Sequence, residues 1–111
     1  QVDAKRINET WGWLSWLANN PLTGCPGLTL GRVLIRAGQA NPRHAHPRCQ
    51  EVLHLLRGQL RHSIGGENVV LNPGDTLVVP AGAFHNAQSI GAEDAEMIVA
   101  YDSGQRDFVL E

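Results

Sequence analysis

The chain has little with which to cross-link itself or to seek out a charged polymer. Two cysteines, Cys25 and Cys49, are too few for a disulfide framework, and both read as free thiols. No long basic run occurs, and a net charge of -2 gives no electrostatic footprint for nucleic acid or an anionic membrane surface. No apolar stretch approaches the roughly 20 residues that span a bilayer, and the amino end lacks the pattern of a cleaved export signal. A cytoplasmic protein with neither nucleic acid nor membrane as partner is therefore expected. Internal repeats, low-complexity tracts and helix-length periodic segments between the strand-like stretches are missing as well.

At 111 residues, with 42% hydrophobic and 18% charged side chains, the chain has the length for one core and the composition of a globular domain. Six short segments rich in β-branched or aliphatic residues read as strands: 28–38, 51–58, 59–64, 67–71, 75–80 and 94–102. Between them, Gly58-Gln59, Gly65-Gly66, Asn72-Pro73-Gly74 and Pro80-Ala81-Gly82 supply the conformations that tight reversals require. Short strands at this spacing predict an all-β sandwich or small barrel over residues 28–111.

Residues 1–27 are expected to form an amino-terminal extension of strand and loop. Within TWGWLSWLANNP, Trp11 and Trp13 share a face if the segment is a strand, whereas Trp13 and Trp16 share one if it is a helix. Asn19-Asn20-Pro21 ends whichever forms, and Gly24-Cys25-Pro26-Gly27 makes the loop into the next strand. Large amphipathic rings usually serve burial. Covering the core or a subunit contact is therefore the expected role of the tryptophans, with a place at a pocket mouth as the competing reading. The tail SGQRDFVLE is open between a last strand, a cover and a frayed end.

Chemistry concentrates in two segments, Gly38 to Gly58 and Gly74 to His85. They hold His44, His46, Glu51 and His85, an imidazole and carboxylate set suited to a divalent transition metal. His44 and His46 are two apart, so an extended strand sends both rings from one face and lets them chelate a single ion. Glu51 lies an odd number of residues beyond His46 and would point away on an unbroken strand; Pro47 predicts the bend that resets the register. Beyond that bend Leu53, Leu55 and Arg57 share the Glu51 face, while Val52, His54 and Leu56 take the other. His85 follows the Pro80-Ala81-Gly82 turn and is expected to arrive from across the fold. Gln50 could replace Glu51 only if the bend shifted by one residue. A histidine pair beside a proline is often just a surface loop, and it is the company of Glu51 and His85 that favours a metal. His62 shares its face with Leu60 and Ile64 and reads as inward. Two roles stay open for it: an ordinary core histidine satisfied by hydrogen bonds, or a group that supports a ligand or moves a proton in the pocket.

These segments resemble the two motifs of the cupin superfamily. The first, a glycine, His-x-His, a glutamate and a second glycine at set spacings, is met by Gly38, His44, His46, Glu51 and Gly58; the second is met by Gly74, Pro80, Gly82 and His85. The asparagine that customarily closes the second motif is replaced by Ser89, while Asn86 follows the histidine directly, which puts any role tied to that asparagine in doubt. The resemblance covers residues 28–101 and implies a small single-domain cupin, a jelly-roll barrel of antiparallel strands. It further implies one divalent metal ion held inside by His44, His46, Glu51 and His85. A homodimer joined through barrel faces and exchanged amino-terminal strands is also implied, and the tryptophans and the outward Val52 and Leu56 are compatible with it.

Three neutral imidazoles and one carboxylate leave a divalent ion some positive charge, and an octahedral ion keeps positions open for water, oxygen or substrate. Iron, manganese, nickel, copper and zinc all suit such a set, magnesium and calcium do not, and the lack of thiolate argues against a purely structural zinc. An anionic small molecule is the expected substrate: an enolate, an α-hydroxy acid or a sugar acid. The leading expectation is a metal-dependent enzyme carrying out oxygen-dependent oxidation or cleavage, as the resemblance to cupin dioxygenases implies. One alternative is a non-oxidative isomerase, lyase or decarboxylase in which a pocket base moves a proton, with His62 and Tyr101 as the catalytic candidates. Another is a binding or sensing module that holds a metal or sugar without turnover. Arg36, Arg43 and Arg57 read as solvated charges first and as guides for an anionic substrate second.

Overall fold

In the computed structural model, which describes residues 6–19, 24, 27–104 and 107–111, strands make up all the regular structure. In chain order they are β1 (Arg6–Glu9), β2 (Gly12–Ala18), β3 (Thr29–Ile35), β4 (His44–Ala45), β5 (Glu51–Arg57), β6 (Leu60–Ile64), β7 (Glu67–Leu71), β8 (Thr76–Val79), β9 (His85–Ser89), β10 (Ala95–Tyr101) and β11 (Val109–Leu110). Antiparallel pairing gathers β1, β2, β3, β10, β5 and β8, in that order, into one sheet and β11, β4, β9, β6 and β7 into a second. This is the all-β jelly roll that the motifs imply. Asn20, Pro21, Cys25 and Pro26, with the turn and thiol expectations that fall on them, lie outside the described residues, as do Gln105 and Arg106 of the tail. No helix among the described residues is long and apolar enough to cross a membrane.

The period-two alternation of each strand decides which side chains meet between the sheets. On β5, Glu51, Leu53 and Leu55 are buried while Val52 and Leu56 are exposed. Val33, Ile35, Leu53, Leu55, Met97 and Val99 of the first sheet pack against Leu60, Leu71 and Ala87 of the second. Ile35, Leu55 and Leu60 lose all their solvent contact, and burial of each such side chain contributes about 1.5–3 kcal/mol. Gly58 makes the reversal between β5 and β6 possible. Its φ is +83°, and a Cβ there would lie 2.7 Å from the Ala95 Cα and 2.7 Å from the Asp94 carbonyl oxygen.

The tryptophan segment is a strand. β2 lies along β3 from the Gly12↔Ile35 pair to the Ala18↔Leu30 pair, and β1 folds back onto β2. Trp11 falls in the turn between β1 and β2, so Trp11 and Trp13 do not share a strand face; the inward pair is Leu14 and Trp16. Trp13 takes the outer face, where the Arg6 guanidinium lies 4.1 Å from its ring centre and helps cover it. Trp16 reaches inward because its cross-strand partner is Gly31, where a Cβ would come within 2.6 Å of the indole.

Candidate metal centre

Four buried side chains converge at one end of the core. His44 opens β4, His46 follows it, Glu51 opens β5 and His85 opens β9. Pro47 and Arg48 form the turn after β4, which is the bend that frees Glu51 from the alternation of the histidine strand. The chain changes sheet at that turn. His85 therefore does not arrive from across the fold: it pairs directly with His44 in the five-stranded sheet, and Glu51 is the donor that comes from the facing sheet. The expectation overlooked β4, too short to read in sequence, which places His44 beside β9. A backbone hydrogen bond from Gly82 to the His46 carbonyl, 2.9 Å long, ties the second motif to the first.

One nitrogen or oxygen from each of the four residues lies within 4.8 Å of the others. The His46 Nε2 is 3.3 Å from the Glu51 Oε1, and the His85 Nε2 is 3.5 Å from the same oxygen. All three atoms are buried without a hydrogen-bond partner among the described residues. Orphaned polar atoms pointing at a common centre are costly unless something else satisfies them. The outer nitrogens, in contrast, are occupied. His44 Nδ1 donates to the Pro42 carbonyl at 2.7 Å, His46 Nδ1 donates to the Asp107 carbonyl at 2.8 Å, and His85 Nδ1 lies 3.3 Å from His62 Nε2. Holding the proton on Nδ1 turns the Nε2 lone pair toward the centre, as metal-binding histidines require.

The electrostatics favour the same protonation states. Burial raises the Glu51 carboxyl pKa, but contact with His46 and the nearby His85 outweigh it, so the group sits below its ordinary range. Burial pushes the His85 imidazole down to about 3 and that of His62 to about 4, against the opposing attraction of Glu51. Near neutral pH His85 and His62 are therefore neutral and Glu51 is ionised. This donor set and its charge fit a divalent transition metal.

The two catalytic candidates both stand beside the donors. His62 is 1% exposed and its ring stacks on His85, with centroids 5.1 Å apart. Tyr101 pairs with Glu51 across β10 and β5, and its ring meets His46 edge-on at 4.8 Å. Gln50 is exposed and hydrogen-bonds Asp102, leaving Glu51 as the inward carboxylate. His54 sits on the outer face, 2.8 Å from the Thr76 hydroxyl. Ser89 is fully buried and hydrogen-bonds the Glu93 carbonyl, whereas Asn86 bonds Ser63 and the Asn41 carbonyl.

A cavity of about 260 Å³ opens from the donors toward solvent. Trp11, Leu14 and Trp16 form one wall and Leu53, Met97 and Val99 another, while the exposed Glu9, Pro42, Phe108 and Leu110 stand at the rim. Trp11 and Trp16 thus meet both readings, packing against the core and lining the cavity. Phe108 and Leu110, which the sequence left open, line the cavity because β11 pairs with β4 beside His44. The short apolar run Phe108-Val109-Leu110 is the signal in the sequence for this. The guiding arginines are elsewhere: Arg43 is held by Glu111, Arg57 by Glu96, and Arg36 is exposed and not part of the wall.

Fold and site together define a jelly-roll protein with a buried centre of three histidines and one carboxylate. The cupin domain model matches residues 31–101, and the chain belongs to that family. It is 38% identical over 82 residues to germin-like protein 3-8 of Oryza sativa subsp. japonica, covering 69% of this chain and 36% of the relative. Oxalate oxidase 1 of Hordeum vulgare is 32% identical over 95 residues, covering 78% of this chain and 47% of the relative. Among solved structures, a recombinant oxalate oxidase in complex with glycolate superposes with a TM-score of 0.82 at 26% identity, over 93% of this chain and 56% of the other. The chain thus spans less than half the length of the curated relatives it matches.

Proposed function

We propose that the protein is a metal-dependent enzyme that oxidises or cleaves a small anionic organic acid with dioxygen. The observation that carries this reading is the convergence of four buried donors, with His46 Nε2, Glu51 Oε1 and His85 Nε2 left without partners at the head of a cavity. His44, His46, Glu51 and His85 would hold the ion. When bound, it would supply a Lewis acid with positions open to an anionic ligand, and iron or manganese would add redox capacity. The surrounding residues fix the donors and exclude water: Pro42, Asp107 and His62 orient the imidazoles, and the apolar walls keep the centre dry. The likeness to oxalate oxidases supports oxygen-dependent chemistry on a carboxylic acid.

Non-oxidative isomerisation, cleavage or decarboxylation is the second reading, favoured by the position of His62 and Tyr101 in the cavity wall. The His62 Nδ1 is buried without a hydrogen-bond partner among the described residues, which leaves that nitrogen available to a bound molecule. The test is metal analysis of protein isolated without added metal, then oxygen uptake by the iron- and manganese-loaded forms with a panel of organic acids. Uptake supports the first reading. Turnover only under argon, with manganese, nickel or zinc, supports the second, and a metal-bound protein inert in both atmospheres is a binding module. A cytoplasmic homodimer completes the proposal; Val52 and Val78, exposed cross-strand neighbours on β5 and β8, support a subunit contact.

A further inference from the structure

Beyond the donors the cavity wall is mainly apolar, with Asn41, His62 and Tyr101 as its neutral polar groups. Trp11, Leu14, Trp16, Leu53, Met97 and Phe108 provide most of the wall, and Glu9 stands at the rim. Among the described residues, no lysine or arginine lines it. Among the described residues, Arg6 covers Trp13, Arg32 and Arg57 flank Glu96, Arg43 holds Glu111 and Arg48 holds Asp107, while Arg36 and Arg61 are exposed and not part of the wall. A ligand with a second carboxylate away from the donors would have to bury that charge in a largely apolar wall with no cationic side chain among the described residues, and an unpaired buried charge is costly. An apolar body would instead displace water from the same surface.

Resting on the function proposed above, we infer that the substrate is a monoanionic acid with an apolar body, a 2-oxo or 2-hydroxy acid carrying a branched or aromatic side chain. The anionic head would sit at the four donors, and the body would lie between the Trp16 wall and Met97. Gly31 belongs to this device, because its missing Cβ lets the Trp16 indole lie over β3 and face the cavity. A bare dicarboxylate such as oxalate would fill the head position and leave the apolar wall unused.

The experiment titrates manganese-loaded protein, with metal stoichiometry measured on the same sample, against oxalate and against pyruvate, 2-oxobutyrate, 4-methyl-2-oxopentanoate and phenylpyruvate. Binding is read from quenching of tryptophan fluorescence and confirmed by calorimetry. Affinity is expected to rise about fourfold per added methylene, with phenylpyruvate binding at least tenfold more tightly than oxalate. Trp16→Leu should lose most of the phenylpyruvate gain and leave oxalate unchanged. Leu110→Arg, at an exposed rim position that folding tolerates, should narrow the gap by strengthening oxalate. Oxalate binding most tightly, or affinity independent of chain length, in a stoichiometrically loaded protein overturns this inference alone. A protein that takes up no metal overturns the underlying function as well.

Discussion

His44 and His85 are direct partners across β4 and β9, with ring centroids 4.4 Å apart. Residues separated so far along the chain become neighbours because the second motif returns beside the first in the same sheet. Glu51 then reaches the pair from the opposite sheet. The centre is therefore built by tertiary pairing, and each donor can be removed without breaking the turn that carries it.

Replacing His44, His46 or His85 with alanine should abolish stoichiometric binding of a divalent metal while far-ultraviolet circular dichroism retains the β signature. Elemental analysis of each purified variant provides the check. Full occupancy in all three single variants would remove the basis for the site.

His62 fixes the orientation of His85 through its Nε2 and by stacking. His62→Ala should weaken metal affinity by about 10–100-fold, the usual effect of removing a group that orients a ligand. Competition with a chromophoric chelator measures it. An unchanged affinity would make His62 an ordinary core residue.

Gly58→Ala combines a left-handed backbone position with a clash against Ala95 and Asp94. The expected loss is about 2–4 kcal/mol, from the strain of a left-handed residue plus overpacking. Urea denaturation would show a lower midpoint, and equal midpoints would contradict the crowding at this turn.

Glu96 on β10 lies between Arg32 of β3 and Arg57 of β5. The hydrogen bond from Arg32, aided by Arg57, holds its carboxyl below the ordinary value of 4.5 despite the opposing effect of burial. A depressed carboxylate pKa stabilises the fold above the unfolded value and loses that contribution as pH falls through the folded value. Glu96→Gln should cost no more than about 1 kcal/mol at neutral pH, given that both arginines are partly exposed, and should flatten the acid limb below about pH 4.5. Identical acid limbs for the two proteins would exclude this contribution.

The sequence made the fold and the donors legible because both rest on local spacing. Strands β3, β5, β6, β7, β8 and β10 lie within the expected segments, and Leu53 and Leu55 follow Glu51 inward as parity requires. What remained hidden depends on pairing between distant segments. The two-residue β4 has too few positions to show alternation, so the adjacency of His44 and His85 had no local signature. Trp13 also misleads by composition: it is 8% exposed on an outer face, where the Arg6 and Arg32 guanidinium groups lie over its ring. The tail could not be placed because β11 gains its meaning only from β4, and the Asp107 carbonyl that orients His46 is backbone, which no residue type announces.

Because one sheet provides the carboxylate and the other the imidazoles, occupancy of the centre would clamp two layers whose shared core is mainly hydrocarbon. Folding and loading would then draw on a common equilibrium, with the melting temperature climbing as free ion rises above its dissociation constant. A cell short of the ion would hold less of this polypeptide intact, so supply would govern its abundance.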